Sequence, residues 1–328
     1  METKLNYKRT FLIGLAFLSI CSFWQMYDNI IPLILQNTYH LGETMTGSVM
    51  ALDNVLAIFL LPVFGALSDK VHTKLGRRMP FIVVGTILAV IFMMMLPMID
   101  NAEKARWATG GSFSNQVFFL GVLFFTLVSM GLYRSPAVAL MPDVTPNHLR
   151  SRANAVINLL GAVGGVYALI MIKVLVGKGE TPDYLPLFAS IAAVMAIAVG
   201  ILVITIRENK LREEVEKAEA ANADTIEEKA MAEGVEAAGE IEAVGDTGEA
   251  KASDEKQQMG KTENAKGMPK DVKRSMYFML VSIFLWFTAY NAVTTAFSRY
   301  TKVVWKMEGG SFANCLMVAT VAAILSYI

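Results

Sequence analysis

Cysteine is almost missing from this 328-residue chain: there are two, Cys21 and Cys315, each inside an apolar run and neither in a CxxC spacing. That excludes a disulfide framework and a cysteine-ligated zinc site. Histidine is equally scarce at three residues, and no HExxH occurs. No Walker A loop, GxSxG elbow or dinucleotide glycine pattern occurs either, so an ATP-driven pump and a membrane enzyme lack the groups they would need. Charge is thin, 18% of residues where a soluble domain carries about 25%. The net charge is zero, and no basic patch interleaved with aromatics offers a surface for nucleic acid.

What the chain has in plenty is apolar sequence, 54% hydrophobic with a mean hydropathy of +0.46. Lipid offers backbone amides no partner, so a span must be helical and about 20 apolar residues long. Eight segments meet this, at 11–36, 45–68, 80–99, 115–138, 153–176, 185–206, 275–297 and 311–328. The pattern predicts an all-α integral membrane protein that crosses the bilayer several times. The first run is too long for the roughly 7–15 residue core of a signal peptide and has no A-x-A-like site after it. Lys and Arg concentrate in alternate loops: sixteen on one side, including Lys8, Arg9, Lys70, Lys74, Arg150 and Arg152, against seven on the other. This bias predicts a cytoplasmic N-terminus in the cell membrane. The twenty methionines, Met93, Met94 and Met95 among them, show no metal-binding spacing and read as packing residues.

Residues 207–274 hold 18 acids against 12 bases and no aromatic side chain. Such a stretch buries too little apolar surface to offset the entropy of ordering, so it reads as a largely disordered cytoplasmic linker. Its first part, from Arg207 to about Ala232, is rich in helix formers and is expected to continue the sixth helix. The linker separates an N-terminal six-helix bundle, 1–206, from two further helices, 275–328. Ser19-Ile20, Trp24 and Tyr27 in the first span find offset counterparts in Ser282-Ile283, Trp286 and Tyr290, the pattern of a two-repeat carrier.

The most specific motif is Gly65-Ala-Leu-Ser-Asp69-Lys-Val-His-Thr-Lys-Leu-Gly76-Arg77-Arg78-Met-Pro80, between the second and third spans. Gly65 permits close helix approach, Asp69 can cap a helix or pair with Arg, and Gly76 allows the turn that returns Arg77 and Arg78 to the membrane face. This stretch resembles the cytoplasmic signature loop of the major facilitator superfamily. A second stretch narrows the resemblance: Arg134-Ser-Pro136-Ala-Val-Ala-Leu140-Met-Pro-Asp143, then Arg150-Ser-Arg152-Ala-Asn154-Ala and Gly161-Ala-Val-Gly164-Gly165. It is similar to the fourth-to-fifth helix region of sucrose-type carriers in the glycoside-pentoside-hexuronide:cation symporter group. The resemblance implies a twelve-helix major facilitator fold, a central cavity, and sugar uptake coupled to protons by alternating access. Only two helices of the second half fall within 275–328, so a continuation past Ile328 is expected. Two departures qualify the coupling ion. Where melibiose-type members carry Asp-x-x-x-Asp-Pro, this chain has Ala57-Ile-Phe-Leu-Leu61-Pro62, which disfavours sodium. Where plant sucrose carriers place an acid on the fourth helix, it has Leu127.

Ionisable residues inside spans cost about 2.5–3.5 kcal/mol each on insertion scales and mark function. Asp28 and Asp53 both lie about 12 Å from one end of their helices at 1.5 Å per residue, and are the candidate proton-coupling pair. Arg134 either pairs with Asp69 or Asp143 in the latch that the signature loop forms, touches the solute, or snorkels. The latch is expected to comprise Gly65, Asp69, Gly76, Arg77, Arg78, Arg134, Asp143 and Arg150. Sugar recognition needs flat aromatic faces and amide groups. Trp24, Gln25 and Asn29 on the first helix, Asn154 and Asn158 on the fifth, and Trp286, Tyr290 and Asn291 on the seventh are the candidates. No cofactor, metal or obligate protein partner is expected; the partners are the bilayer and a small solute. Alternatives are carriage of another organic solute, or a non-transporting subunit or inactive fragment.

Overall fold

The computed structural model describes residues 5–109, 115–177, 179, 182–217 and 270–326. Its helices are α1 Tyr7–Asn37, α2 Glu43–Lys70, α3 Met79–Ala108, α4 Gln116–Asp143, α5 Arg150–Leu175, α6 Leu185–Thr205, α7 Lys270–Val303 and α8 Ala313–Ser326. A single 3-10 turn, Asn147–Leu149, joins α4 to α5. Among the described residues there is no strand, only one bridge between Thr73 and Gly76. The chain is thus an all-α multi-pass membrane protein. Among the described residues, seven helices, α1–α7, are long and apolar enough to span a bilayer. The eighth expected segment is described over the 14 residues of α8.

Helix starts follow local chemistry. Asn6 caps α1 by accepting from the Arg9 N–H at 3.1 Å. Both α3 and α6 carry proline in the first turn, Pro80 and Pro186, where a missing N–H leaves nothing unsatisfied. The residues after α6 depart from the expected continuous helix and linker. The chain breaks at Ile206 and Arg207, then forms a separate helical stretch over 208–217 that returns to the bundle. Arg9 pairs with Glu214 at 3.1 Å, and the Asn209 amide donates to the Thr73 carbonyl at 3.0 Å. The rest of the expected linker, 218–269, lies outside the described residues.

Contacts divide the chain into two compact units, Met1–Ala218 with Thr294–Ile328, and Glu219–Val293. In the first, α1 packs along α5 and α3 along α4. Lipid tails are as apolar as leucine, so helices associate through close backbone approach and buried polar contacts rather than through hydrophobic burial. Gly164 provides the approach for α1 and α5: a Cβ there would stand 2.1 Å from the Leu18 carbonyl oxygen. Ser22 Oγ closes the same crossing by donating to the Gly164 carbonyl at 2.9 Å. Gly85 does the equivalent for α3 and α4, against the backbone of Tyr133. The Tyr133 hydroxyl, fully buried, then donates to the Ala16 carbonyl at 3.0 Å and pins α4 to α1.

The end of the bundle away from the Asp69–Arg78 loop has a lock of its own. Lys104 Nζ donates to buried Asp100 at 2.6 Å and to the Pro182 carbonyl at 2.7 Å, and lies 4.8 Å from the Tyr184 ring centroid. Burial, reinforced by the Asp100 charge, pushes the Tyr184 hydroxyl well up from its ordinary range, so it stays protonated. In the second unit, the described part of α7 carries Trp286 stacked on Tyr290, with centroids 5.8 Å apart.

Gly164→Ala should lower thermal stability by about 1–3 kcal/mol through overpacking, with a lower unfolding midpoint in detergent. Gly200→Ala, where a Cβ meets nothing within 4 Å, should leave the midpoint unchanged.

Candidate functional site

Besides the Asp100–Lys104 lock, two polar assemblies among the described residues hold candidate site residues. The first lies where α2 ends and α3 begins. Gly76 takes φ +123°, a backbone conformation open to glycine, and turns the chain so that Arg77 and Arg78 face α2 and α4. Arg78 donates through Nη2 to Asp69 Oδ1 at 2.6 Å and through Nε to Asp143 Oδ2 at 3.0 Å. Its Nη1 donates to Ser68 Oγ and to the Gly65 carbonyl, so one buried guanidinium holds α2 against α4. Arg77 Nη2 shares Asp143 Oδ2 at 3.0 Å, with Asp69 at 3.8 Å.

A third carboxylate completes the assembly. Glu208, only 1% exposed, accepts hydrogen bonds at 3.0 Å from the backbone N–H groups of Arg77, Arg78 and Met79. It supplies the cap that Arg78, the residue at the N-cap of α3, does not provide. The negative charge also meets the positive end of the α3 dipole. Gly76 is needed a second time here, because a Cβ would lie 2.1 Å from Glu208 Oε2. Gly65, Asp69, Gly76, Arg77, Arg78 and Asp143 therefore meet as expected from their spacing. Arg150 does not join the ion pairs; it donates to the Pro142 and Thr145 carbonyls and closes the end of α4 beside Asp143.

The second assembly lies deeper, between α1, α2 and α4. Trp24, Asp53, Asn54, Leu127, Gly131 and Arg134 line a cavity of about 40 Å³. That holds a few waters and is far too small to enclose a disaccharide, so these residues form a wall rather than a closed chamber. Arg134 corrects the expectation that placed it in the latch: Asp69 and Asp143 are engaged by Arg77 and Arg78, and Arg134 instead sits 5.5 Å from the Trp24 ring centroid. It lies within electrostatic range of Asp53, and Asp53 within range of Asp28. Asp53 Oδ1 accepts from the Asn54 backbone and side-chain amides at 2.6 and 2.9 Å.

The remaining candidates separate. Asn29 is buried and donates to the Gln25 carbonyl at 2.8 Å. Among the described residues, Trp24 Nε1, Tyr27 Oη and Asn29 Oδ1 are buried without a hydrogen-bond partner, an unusual run of orphaned polar atoms along one helix. Asn154 and Asn158 are exposed on α5 and do not line the Trp24–Asp53 cavity. Their i,i+4 spacing places them on one helix face. Trp286, Tyr290 and Asn291 belong to the second unit, where Trp286 and Tyr290 stack on each other. Sequence reasoning missed Glu208, because an acid in an acid-rich stretch gives no signal of its own. It also missed Ser68, which lies inside the motif and whose hydroxyl meets Arg78.

Residues 7–328 match the family model of the Major Facilitator Superfamily, and the chain belongs to that superfamily. Over 116 residues it is 35% identical to the Sucrose transport protein SUC4 of Arabidopsis thaliana, covering 33% of this chain and 22% of that protein. Over 137 residues it is 26% identical to the Sucrose transport protein SUT3 of Oryza sativa subsp. japonica, covering 39% and 27%. The matched region thus spans about a quarter of the length of these curated relatives.

Glu208→Ala leaves three N–H groups at the start of α3 without their acceptor, at roughly 1–3 kcal/mol for an unsatisfied buried group. Hydrogen exchange of the peptide spanning residues 76–82 should speed up markedly, with little change in α5. Unchanged exchange there would show that Glu208 does not hold the helix start.

Proposed function

We propose that this chain serves in a proton-coupled sugar carrier that works by alternating access, with Asp53 as proton site and Arg134 as its charge partner. The observation that carries the reading is a carboxylate and a guanidinium sharing one cavity wall with an indole, inside helices that are otherwise apolar. Uncompensated charges at that depth are expensive, so an ionised Asp53 and a cationic Arg134 stabilise each other. A proton on Asp53 removes that partner and leaves Arg134 to a hydroxyl of the solute. Asp28, within range of Asp53, takes part in the same titration. The Trp24 face suits the C–H surface of a sugar ring, and its unpartnered N–H suits a hydroxyl.

The likeness to proteins named for sucrose transport supports a sugar as the solute. Leu127, which stands where the resemblance places the acid of plant sucrose carriers, lines the same cavity as Asp53. The carboxylate in this chain therefore approaches that space from α2 instead of α4. In this reading the Arg77–Arg78 latch faces the cytoplasm, as the distribution of Lys and Arg favours, the membrane is the cell membrane, and no cofactor is required.

The test is uptake of labelled disaccharides into proteoliposomes under an imposed proton gradient. Accumulation should collapse with a protonophore. Asp53→Asn and Asp28→Asn should each reduce gradient-driven accumulation by about tenfold or more while exchange of preloaded solute continues. Normal pH-dependent accumulation in both variants would remove the coupling assignment. Proton-driven uptake of a different solute class would retain the carrier and discard the sugar.

A further inference from the structure

At the end of the bundle opposite the latch, a cleft of about 710 Å³ opens between the end of α1, the α1–α2 connection and the end of α7. It lies about 18 Å along α1 from Trp24, counting from residue 24 to residue 36 at 1.5 Å each, and shares no lining residue with the Asp53 cavity. Its charge is one-sided. Arg299, Lys302 and Lys306 line it, with Glu308 as the lining acid. Arg299 has Glu43 3.6 Å away, an ion pair too long for a hydrogen bond. Among the described residues, Lys302 and Lys306 have no ion-pair partner.

Two independent features converge on the same cleft. Among the described residues, two that are not glycine adopt left-handed backbone: His40 at φ +50° and Lys306 at φ +53°. Both line this cleft, one on each side. Side chains held in that region cost about 1–3 kcal/mol and cluster where a ligand is clamped. Two buried polar atoms without a hydrogen-bond partner, Gln36 Oε1 and Arg299 Nε, also belong to lining residues. One is an acceptor and the other a cationic donor. A ligand satisfying both carries an anionic oxygen for the guanidinium and a hydroxyl for the amide oxygen.

We propose that this cleft binds an oxyanion group, phosphate or carboxylate, on a hydroxyl-bearing molecule, through Arg299, Lys302 and Lys306 with Gln36 receiving the neighbouring hydroxyl. A sugar acid, a sugar phosphate and a glycerophosphate lipid headgroup share that chemistry, and the volume suits a group of one or two rings. The site is separate from the Asp53 cavity and does not depend on what that cavity carries.

The experiment uses the 328-residue chain in phosphatidylcholine nanodiscs, with inorganic phosphate and glucuronate as probes and glucose as the neutral control. Radiolabel binding is measured together with the fluorescence of Trp107, whose ring stacks on His40 at 4.2 Å. Saturable binding of phosphate or glucuronate, absent for glucose, is expected. Affinity should fall about tenfold or more in Lys302→Gln/Lys306→Gln and remain unchanged in Lys210→Gln, at the latch end. Lys306→Gly, which removes the charge while accommodating the backbone, keeps the test valid should the double variant misfold, and should weaken binding by about threefold. Displacement of phosphate when phosphatidylglycerol replaces part of the lipid assigns the site to a headgroup; undiminished binding assigns it to a soluble anion. Lack of saturable binding by the folded chain, or equal binding by wild type and Lys306→Gly, would overturn the proposal.

Discussion

Arg78 is the residue on which the latch end of this bundle depends. Its guanidinium is buried, touches Asp69 and Ser68 from α2 and Asp143 from α4, and sits at the start of α3. A buried cation is tolerated only when nearly every donor is matched, and removing one partner from such a set is far more disruptive than never having built it. The surrounding sequence is organised to meet that demand. Gly76 turns the chain, Glu208 neutralises the helix start that the turn exposes, and Arg150 closes the end of α4 that presents Asp143. The short helical stretch after α6 is held against the bundle for the same reason, since the Glu208 carboxylate cannot reach three amides unless its backbone is brought close.

Away from the latch, α1 acts as the spine of the first unit. It packs on two sides, with Ser22 and Leu18 against Gly164 of α5 and Ala16 receiving the Tyr133 hydroxyl of α4. Interspersed with these contacts, and among the described residues, Trp24, Tyr27, Asn29 and Gln36 carry buried polar atoms without a hydrogen-bond partner. In a lipid environment such contacts have to exist for the helix to associate at all, and of the unmatched residues Trp24 lines the central cavity and Gln36 the basic cleft. The central wall and the basic cleft thus share one helix, which is tied to α5 and α4.

Much of this was legible beforehand because bilayer physics is strict. Long apolar runs had to be helices, and α1–α6 fall over the six segments that hydropathy marks, extended by several residues into the interface. The latch was legible because glycine, aspartate and paired arginines at fixed spacing can close a turn in few ways. Asp28 and Asp53 were legible as candidates because a carboxylate within a span demands explanation. For Asn154 and Asn158, helical spacing says that they share a face and not what that face meets. Arg134 misled because two sets of carboxylates could have received it, and the choice depends on which arginine reaches Asp143 first.

The amino-acid order alone therefore determined the spans, the loop that makes the latch and the rarity of charge within the membrane, since each follows from local hydropathy or local turn geometry. Only the tertiary structure decided that Glu208 caps a helix about 130 residues earlier in the chain, that Arg134 and Asp53 line one cavity with Trp24, and that His40 and Lys306 border one cleft. These are pairings between distant segments, set by how helices cross. Helix crossings depend on which small residues let two backbones meet, a property of pairs of helices that no single stretch of sequence contains.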